Sequence, residues 1–246
     1  MKLTAIILTR NEERNILKCL QALSFADEKI VIDNGSTDLT VKLAIKSNAK
    51  VLTFKGTDFS FARELGKKKA KNKWLLYIDA DEIVTPRLAS EIKKINPDGF
   101  SGYKLLRKNY FFGTEFPITD QSIRLINKTG LISWQGKVHE TPVIKGNIGI
   151  LKNPLLHYTH TDISRMVEKT NLWSEIEAEL RLENKHPEMV WWRFIRVMIT
   201  AFIDSFITQK SYKKGTVGFI ESVYQSFSMF ITYAKLWEKQ IQIKKS

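Results

Sequence analysis

Cysteine is almost absent from this 246-residue chain, in which Cys19 is the only one. A single cysteine excludes an intrachain disulfide and a zinc site built from several cysteines, and it is typical of a reducing compartment such as the cytosol. Long apolar runs are also absent. The most apolar segment, residues 190–207, is interrupted by Arg193, Arg196 and Asp204, whereas a membrane-spanning helix needs roughly 18 apolar residues in succession. We therefore expect no spanning helix, but a helix that lies on a membrane remains possible.

Acidic residues are outnumbered, since 26 Asp and Glu accompany 39 Lys and Arg and give a net charge of +13. This charge favours a polyanionic partner, either nucleic acid, anionic lipid or a phosphorylated substrate. The chain has no helix-turn-helix, zinc-finger or RNA-recognition pattern, so we expect no nucleic-acid partner. It also lacks repeats and low-complexity tracts. Its 43% hydrophobic content predicts one folded domain of ordinary size with an appendage.

The first 95 residues alternate short apolar runs with amphipathic segments, which predicts strands and helices wound into a parallel α/β sheet. The first run is too short for the core of a signal peptide and leads directly into a polar turn. We place strands at Leu3–Leu8, Lys29–Ile32, Lys50–Phe54 and Trp74–Ile78. Polar clusters follow the first two strands, TRNEE at 9–13 and DNGSTD at 33–38. Ligands of such sheets bind beyond the carboxyl ends of the strands, so both clusters are candidate binding loops.

The rest of the chain is first β-rich and then helical. Strands are predicted at Tyr103–Leu106, Ser122–Ile126 and Val138–Ile144, and helices follow Asp162. We predict a catalytic domain at 1–160, with a ligand-binding half at 1–98 and a second half at 99–160. Residues 161–246 form a helical C-terminal region in this prediction.

The segment WLLYIDADE runs an apolar strand into Asp79 and Asp81. Two carboxylates spaced by two residues at a strand end point the same way, so they can jointly face a divalent cation and a diphosphate that the cation bridges. The alternative is a strand that simply ends in a charged turn before the next helix.

The cluster that begins at Asp33 also has two interpretations. Asp33 could accept an N–H of a nucleotide base, or it could form an Asx turn with Gly35 at positive φ ahead of the next helix. Glu12 and Glu13 could likewise be ordinary acids in the first turn of a helix.

Taken together, ILTRNEERNI, IVIDNGSTDLT and LLYIDADE resemble the family 2 glycosyltransferases in order, spacing and strand context over the first 110 residues. The segment FARELGKKKAKNKW is similar to that family's Ala-Arg-Asn segment. Glu64 replaces the usual Asn, so only Arg63 is carried over. The resemblance implies the GT-A fold, an α/β architecture with a Rossmann-like mixed sheet flanked by helices, here with a C-terminal helical appendage.

The resemblance also implies site residues and a reaction. The base and ribose of a nucleotide-sugar donor, a UDP-sugar in the first instance, would be held by Thr9, Arg10, Asn11, Glu12 and Asp33, with Arg63 near the donor. Asp79 would contact the ribose and, with Asp81, the cation, either Mg²⁺ or Mn²⁺. Such enzymes invert the anomeric centre in one displacement, in which a carboxylate removes the proton of the acceptor hydroxyl.

The base is harder to assign, because the Glu-Asp pair and downstream Arg-Trp motif of many members do not occur here. The segments TDQSIRL at 119–125, WQGKVHE at 134–140 and LHY at 156–158 instead resemble the branch that includes lipopolysaccharide core glucosyltransferases. Glu140 is the first candidate base and Asp120 the second, although both could be surface acids at strand ends. His139 or His157 could complete the shell of the cation, or either could be structural.

The C-terminal segment 190–246 is basic and aromatic, with nine Lys or Arg and three acids. Apolar residues step by three and four along two stretches, Trp192, Ile195, Ile199, Phe202 and Phe206, and then Ile220, Val223, Phe227, Phe230, Ala234, Trp237 and Ile241. One interpretation is a helical hairpin that packs on the catalytic domain. The other is an in-plane membrane helix whose cations meet lipid phosphates and whose tryptophans lie at the headgroup level.

The resemblance therefore predicts an inverting, metal-dependent hexosyltransferase that acts on a lipopolysaccharide core or a lipid-linked glycan. We expect a cytoplasmic protein that is peripheral on the inner face of the cytoplasmic membrane and contacts its anionic surface. Another nucleotide-sugar-handling enzyme is one alternative, although a nucleotidyltransferase would need a Gly-rich phosphate loop where this chain has TRNEE. A catalytically inactive, membrane-associated binding module is the other.

Overall fold

The computed structural model describes residues 1–136 and 140–245, and within those ranges the chain forms eleven strands and seven α-helices. The strands are β1 (Leu3–Thr9), β2 (Glu28–Asp33), β3 (Lys50–Thr53), β4 (Trp74–Asp79), β5 (Glu82–Val84), β6 (Gly102–Phe111), β7 (Thr114–Asn127), β8 (Leu131–Gln135), β9 (Thr141–Ile144), β10 (Ile148–Ile150) and β11 (Leu155–His160). The helices are α1 (Ile16–Ala22), α2 (Thr40–Lys46), α3 (Phe59–Lys69), α4 (Pro86–Lys94), α5 (Ile163–Glu183), α6 (Trp191–Ile203) and α7 (Gly215–Lys245).

Strands β3, β2, β1 and β4 lie side by side and parallel, and their bounds confirm the four strands predicted first to within one residue. Alternate residues of β1 enter two different cores. Ala5 and Ile7 pack with α1 and α4, whereas Ile6 packs on the other side with residues of α3. Burial on both faces is the reason why β1 and β4 read as continuous apolar runs.

The sheet continues beyond β4 in the order β7, β6, β11, β5, with β10 paired to β6, while β8 and β9 form a separate pair. β7 is antiparallel to β4, and β11 is antiparallel to β5. β6 and β7 are longer than predicted, because their turn at Phe112 and Gly113, both at positive φ, allows pairing up to the hairpin tip. The sheet is thus mixed, and the α/β fold class is confirmed.

The chain divides into two compact units. The first consists of Met1–Lys108 and Thr119–His157, and it contains all of β1 to β5. The second consists of Asn109–Ile118 and Tyr158–Ser246, and it contains α5, α6 and α7.

Helices α6 and α7 of the second unit form an antiparallel hairpin. A π-helical turn (Asp204–Thr208) and a 3-10 turn (Ser211–Lys214) connect them. The hydroxyls of Ser205 and Ser222 are 3.0 Å apart, and Ser226 donates to the carbonyl of Met198 at 2.8 Å. Across the described part of the chain, no helix combines the length and the apolar character needed to cross a membrane.

Candidate functional site

The two predicted binding loops lock together beyond the ends of β1 and β2. The amide of Asn11 donates to the hydroxyl of Ser36 at 2.8 Å, and the side-chain oxygen of Asn11 accepts from the amide of Thr37 at 2.8 Å. Asn11 has φ of +54°, a backbone conformation that asparagine adopts more readily than most residues. Glu12 completes the junction by donating its amide to the hydroxyl of Thr40 at 2.8 Å. The loops therefore behave as one structural element.

Asp33 lies opposite Thr9 in the β1–β2 pairing, and its carboxylate accepts from the amides of Gly35 and Ser36 at 3.2 and 3.1 Å. The Asx turn is therefore present, with Gly35 at φ +73°. Thr9 is buried, and its hydroxyl has no hydrogen-bond partner within residues 1–136 and 140–245. A buried, unpaired hydroxyl beside a carboxylate at a strand end is suited to contact a polar ligand.

Glu12 and Arg10 differ in their surroundings. Glu12 is buried and accepts from the side-chain amide of Asn15 at 2.6 Å, and its carbonyl accepts from the amide of Ile16 at the start of α1. Glu12 thus precedes α1, which has no acid in its first turn, so the alternative interpretation of Glu12 as an acid in the first helical turn is wrong. Arg10 is exposed. The structure brings Thr9, Asn11, Glu12 and Asp33 into one cluster at the sheet edge.

Asp79 ends β4, the next strand of the sheet, and two arginines hold its carboxylate. Arg63 donates to one oxygen at 3.3 Å, and Arg124 donates to the other at 2.9 Å. Burial alone would raise the pKa of Asp79, but the guanidinium groups of Arg124 and Arg63 outweigh it and keep the pKa well below its usual value. Asp79 is therefore a stable carboxylate.

These contacts belong to an alternating series of four carboxylates and three arginines, here called the ion-pair chain. Beyond Asp79, Arg63 donates to Glu140 at 2.6 Å, and Arg124 donates to Glu82 at 3.2 Å. Arg107 then joins Glu82, at 3.3 Å, to Asp120, at 2.7 Å. In order, the ion-pair chain is Glu140, Arg63, Asp79, Arg124, Glu82, Arg107 and Asp120. Its two ends are the two candidate bases.

Glu82 is a member of the ion-pair chain that the sequence analysis did not identify as a site residue, and the same is true of Arg107 and Arg124. Glu82 is fully buried, and its second oxygen accepts from the backbone amide of Asp79 at 2.9 Å. Burial raises the pKa of Glu82. A signal did exist, because Arg124 interrupts the apolar run SIRLI, and an isolated charge in a buried strand needs a partner.

Asp81 and His157 lie close to each other, with a carboxylate oxygen 3.6 Å from the Nε2 atom of His157. The pairing of β11 with β5 puts His157 opposite Glu82. Burial alone would lower the pKa of His157, but the hydrogen bond and charge of Asp81, with the charge of Glu82, raise it. Among the described residues, no three His, Cys, Asp or Glu side chains cluster as a metal site would. His139 lies outside those residues.

The guanidinium group of Arg63 stacks on an aromatic ring and has one nitrogen without a hydrogen-bond partner among the described residues. It stacks on Trp134, with 5.0 Å between the guanidinium carbon and the ring centre, and Trp134 packs edge-on against Tyr77. The Nη1 atom of Arg63 is buried, and the described residues offer it no hydrogen-bond partner. This atom is therefore placed to bind an anion.

Cys19 is fully buried beneath this site, with its sulfur 3.9 Å from the carbonyl oxygen of Asp79. Burial, reinforced by the negative charges of Glu82, Asp81 and Asp79, raises the pKa of the thiol well above its usual value. A protonated, inaccessible thiol has no nucleophilic role here.

Comparison with known proteins is consistent with this geometry. The sequence model described as glycosyl transferase family 2 matches residues 4–152, which is more than half of the chain. An uncharacterized glycosyltransferase of Rickettsia typhi is 29% identical over 98% of this chain and 88% of its own length. The lipopolysaccharide core biosynthesis glycosyltransferase LpsC of Rhizobium meliloti is 26% identical over 97% of this chain and 93% of its own length.

A solved structure shares the fold over nearly the whole chain. S. aureus TarS 1–349, crystallised in complex with UDP-GlcNAc, superimposes with a TM-score of 0.52 at 15% identity, over 98% of this chain and 92% of that one. At that identity the likeness shows the fold alone, which is GT-A.

Proposed function

The chain belongs to glycosyl transferase family 2, and from that premise we propose that it is an inverting, metal-dependent hexosyltransferase. The observation that carries the proposal is the strand register. Thr9 pairs with Asp33, and Leu8 pairs with Asp79, so the donor loops and the acidic strand end meet on three adjacent parallel strands. In this proposal residues 1–160 form the catalytic region, with the nucleotide-sugar-binding half at 1–98 and the acceptor half at 99–160.

The donor in this proposal is a UDP-sugar. Its base and ribose would contact the interlocked loops, where the hydroxyl of Thr9 is buried and unpaired among the described residues. The spare Nη1 atom of Arg63 would bind a diphosphate oxygen. The proposed donor-binding residues are Thr9, Arg10, Asn11, Glu12, Asp33, Arg63 and Asp79. TarS, which has the same fold, was crystallised with UDP-GlcNAc.

The proposed cation is Mg²⁺ or Mn²⁺, held by Asp81 and His157. The carboxylate fits either ion, since Mg²⁺ in nucleotide enzymes commonly takes one or two carboxylates and fills its other positions with phosphate oxygens and water, whereas the imidazole nitrogen suits Mn²⁺ better than Mg²⁺. Asp79 would add only its remaining lone pairs, because both of its oxygens accept from arginines. When bound, the cation would neutralise the negative charge of the departing nucleoside diphosphate.

Glu140 is the proposed base, with Asp120 the alternative. The oxygen of the acceptor hydroxyl attacks the anomeric carbon, the bond from that carbon to the diphosphate breaks, and the hydroxyl proton passes to the carboxylate. Arg63 holds Glu140 at 2.6 Å, which fixes the direction of its oxygens. Asp120 is held more completely, because Arg107 donates to both of its oxygens. Among the contacts of the described residues, Arg63 binds one oxygen of Glu140 whereas Arg107 binds both oxygens of Asp120, and this difference favours Glu140.

The acceptor we propose is a lipopolysaccharide core or a lipid-linked glycan, as the name of LpsC suggests. In this proposal the acceptor is carried by lipid at the cytoplasmic side of the membrane. The enzyme would then act in the cytoplasm as a peripheral protein on the inner face of that membrane.

The decisive experiment is a panel of UDP-, GDP- and dTDP-sugars tested for hydrolysis and saturable binding with and without Mn²⁺. We expect one UDP-sugar to be hydrolysed only with the cation. Asp81→Asn should lower turnover by about 100-fold, since several kcal/mol of charge stabilisation is lost. Asp98→Asn is the matched control, because Asp98 is an exposed loop acid.

Two results would count against the proposal. Turnover that survives Asp81→Asn in a folded protein would remove the cation site. Failure of every donor to be hydrolysed or transferred would favour a binding module instead.

A further inference from the structure

The α6–α7 hairpin of the second unit exposes a set of large apolar side chains, here called the apolar face. Each of them is between 37% and 53% exposed. The apolar face consists of Trp192, Ile195, Ile199 and Ile203 on α6, and Phe219, Val223, Phe227, Phe230 and Trp237 on α7. Contiguous exposed apolar surface of this kind marks an interaction site in a folded protein.

The packing of α7 explains why the apolar face is left open. One flank of α7 meets α5, where Tyr224 contacts Thr170 and Lys235 contacts Asn171. A second stripe, with small residues such as Ser222 and Ser226, packs on α6 and on the turn that follows it. The apolar face occupies the remaining flank, since its residues recur every three or four positions away from both contacts.

The two halves of the apolar face adjoin each other. Phe202 of α6 lies 6.1 Å from Phe219 of α7, and Phe194 lies 5.8 Å from Phe230. The two helices are antiparallel, and the exposed stripe of each is offset to the same side of the line along which the helices touch. The two stripes therefore form one surface. α6 contributes four of its 13 residues to that surface, and none of its residues is buried.

Charge at the border of the apolar face identifies the partner. Arg193 and Arg196 lie over the ring of Trp192, at 5.1 and 5.7 Å from its centre. The turn between the helices adds three cations, Lys210, Lys213 and Lys214. Of the three acids in the segment, Glu221 is buried against His160. A second copy of the chain would oppose one cationic border to another, whereas anionic lipid headgroups complement it.

We propose that the apolar face docks on an anionic lipid bilayer, with α6 and α7 lying in the plane of the membrane. Apolar side chains would enter the boundary between headgroups and acyl chains, the tryptophans would lie at headgroup level, and the cations would meet lipid phosphates. The inference deepens the proposed function and rests on it for the choice of a membrane-borne acceptor.

The test is flotation of the full chain with vesicles of phosphatidylcholine alone and of phosphatidylcholine mixed with phosphatidylglycerol. We expect binding to the mixed vesicles, weakened but not abolished by added salt, because the apolar contribution is not screened. Ile199→Asp should weaken binding by about tenfold or more, since the burial of one isoleucine is lost and a charge is added. Thr200→Asp, the same change at the next exposed position on the polar side of α6, should bind almost like the wild type.

Three outcomes would overturn the inference. The first is that the chain binds neither kind of vesicle. The second is that Ile199→Asp and Thr200→Asp bind mixed vesicles equally. The third is that the chain binds no vesicles but forms a dimer in sedimentation velocity, and that Ile199→Asp dissociates this dimer. Donor hydrolysis, measured on the same preparations, separates the two proposals. Hydrolysis without vesicle binding rejects only the docking surface, and vesicle binding without hydrolysis rejects only the transferase.

Discussion

The two units of the chain each contain side chains in an unusual environment, charged side chains in the interior of the first unit and large apolar side chains on the surface of the second. The first buries charge, since Glu82 is fully buried and Arg63 and Arg124 are 4% and 7% exposed. The second exposes apolar surface, with Trp191 at 74% exposure. Buried charges are costly unless they are paired, and exposed apolar patches are costly unless something covers them. In the first unit the partners are inside the fold, and in the second we place the partner outside it.

The largest effect should come from opening the ion-pair chain at its buried middle. Arg124→Met leaves Asp79 and Glu82 facing each other without their shared cation, so we expect a loss of about 3–5 kcal/mol in the free energy of unfolding. Urea denaturation followed by circular dichroism measures it. Arg165→Gln breaks a partly exposed ion pair with Asp162 and should cost below about 1 kcal/mol. If Arg124→Met and Arg165→Gln lost the same free energy of unfolding, the buried ion pairs of the first unit would not differ in stability from an ion pair of the second.

The next effect concerns the ends of the ion-pair chain. Glu140→Gln should lower kcat by about 10²–10⁴, the usual contribution of a general base, and it should destabilise the fold less than Arg124→Met, because the amide oxygen of Gln can still accept from Arg63. Asp120→Asn is the matched change at the other end and should lower kcat less. Steady-state transfer assays decide between them. If Asp120→Asn has the larger effect, the base assignment is reversed.

Acid should weaken the first unit through Asp79. Its pKa is lowered in the fold, so its stabilising contribution is present above its unfolded pKa of about 3.9 and is lost as the pH falls below that value. The wild type should therefore lose unfolding free energy progressively as the pH falls below about 3.9. Asp79→Asn should lose less over that range, and Asp204→Asn, an exposed acid of the second unit, should behave as the wild type. Parallel acid profiles for all three would contradict this account.

The smallest effect on stability should come from Trp191, an exposed residue at the start of α6 that precedes Trp192 of the apolar face. Trp191→Gln removes a largely exposed side chain, so the free energy of unfolding should change by less than about 0.5 kcal/mol. The same variant should bind mixed vesicles more weakly in flotation. A large loss of stability would mean that Trp191 packs within the fold and that the second unit is less unusual than described.

The local features of the site were predictable from the sequence, because they depend on residues close together in the chain. The strand ends at Thr9, Asp33 and Asp79 follow from apolar runs that stop at polar residues, and the Asx turn at Asp33 follows from DNGSTD. Glu12 does not lie in the first turn of α1, although its carboxylate accepts from Asn15, the residue just before that helix. The role of Glu12 at a donor stays a prediction.

The ion-pair chain was not predictable in the same way. Glu82 forms ion pairs with Arg107 and Arg124, which are 25 and 42 residues away from it in the sequence. Those ion pairs depend on the order β4, β7, β6 in the sheet, and periodicity reports which face a residue occupies rather than which strand lies next to it. The exposed stripes of α6 and α7 were visible as patterns, but only the contacts with α5 show which flank stays uncovered.

The single thiol beneath the site gives the molecule a built-in reporter. Because Cys19 is fully buried against the backbone of Asp79, an alkylating reagent reaches it only when the sheet edge opens. Every labelled molecule then records one opening at one known position, since no other cysteine competes. The labelling rate, read by mass spectrometry, should slow when a donor nucleotide occupies the neighbouring loops. The alkylation rate of Cys19 therefore reports ligand binding from within the core, and no engineered label is needed.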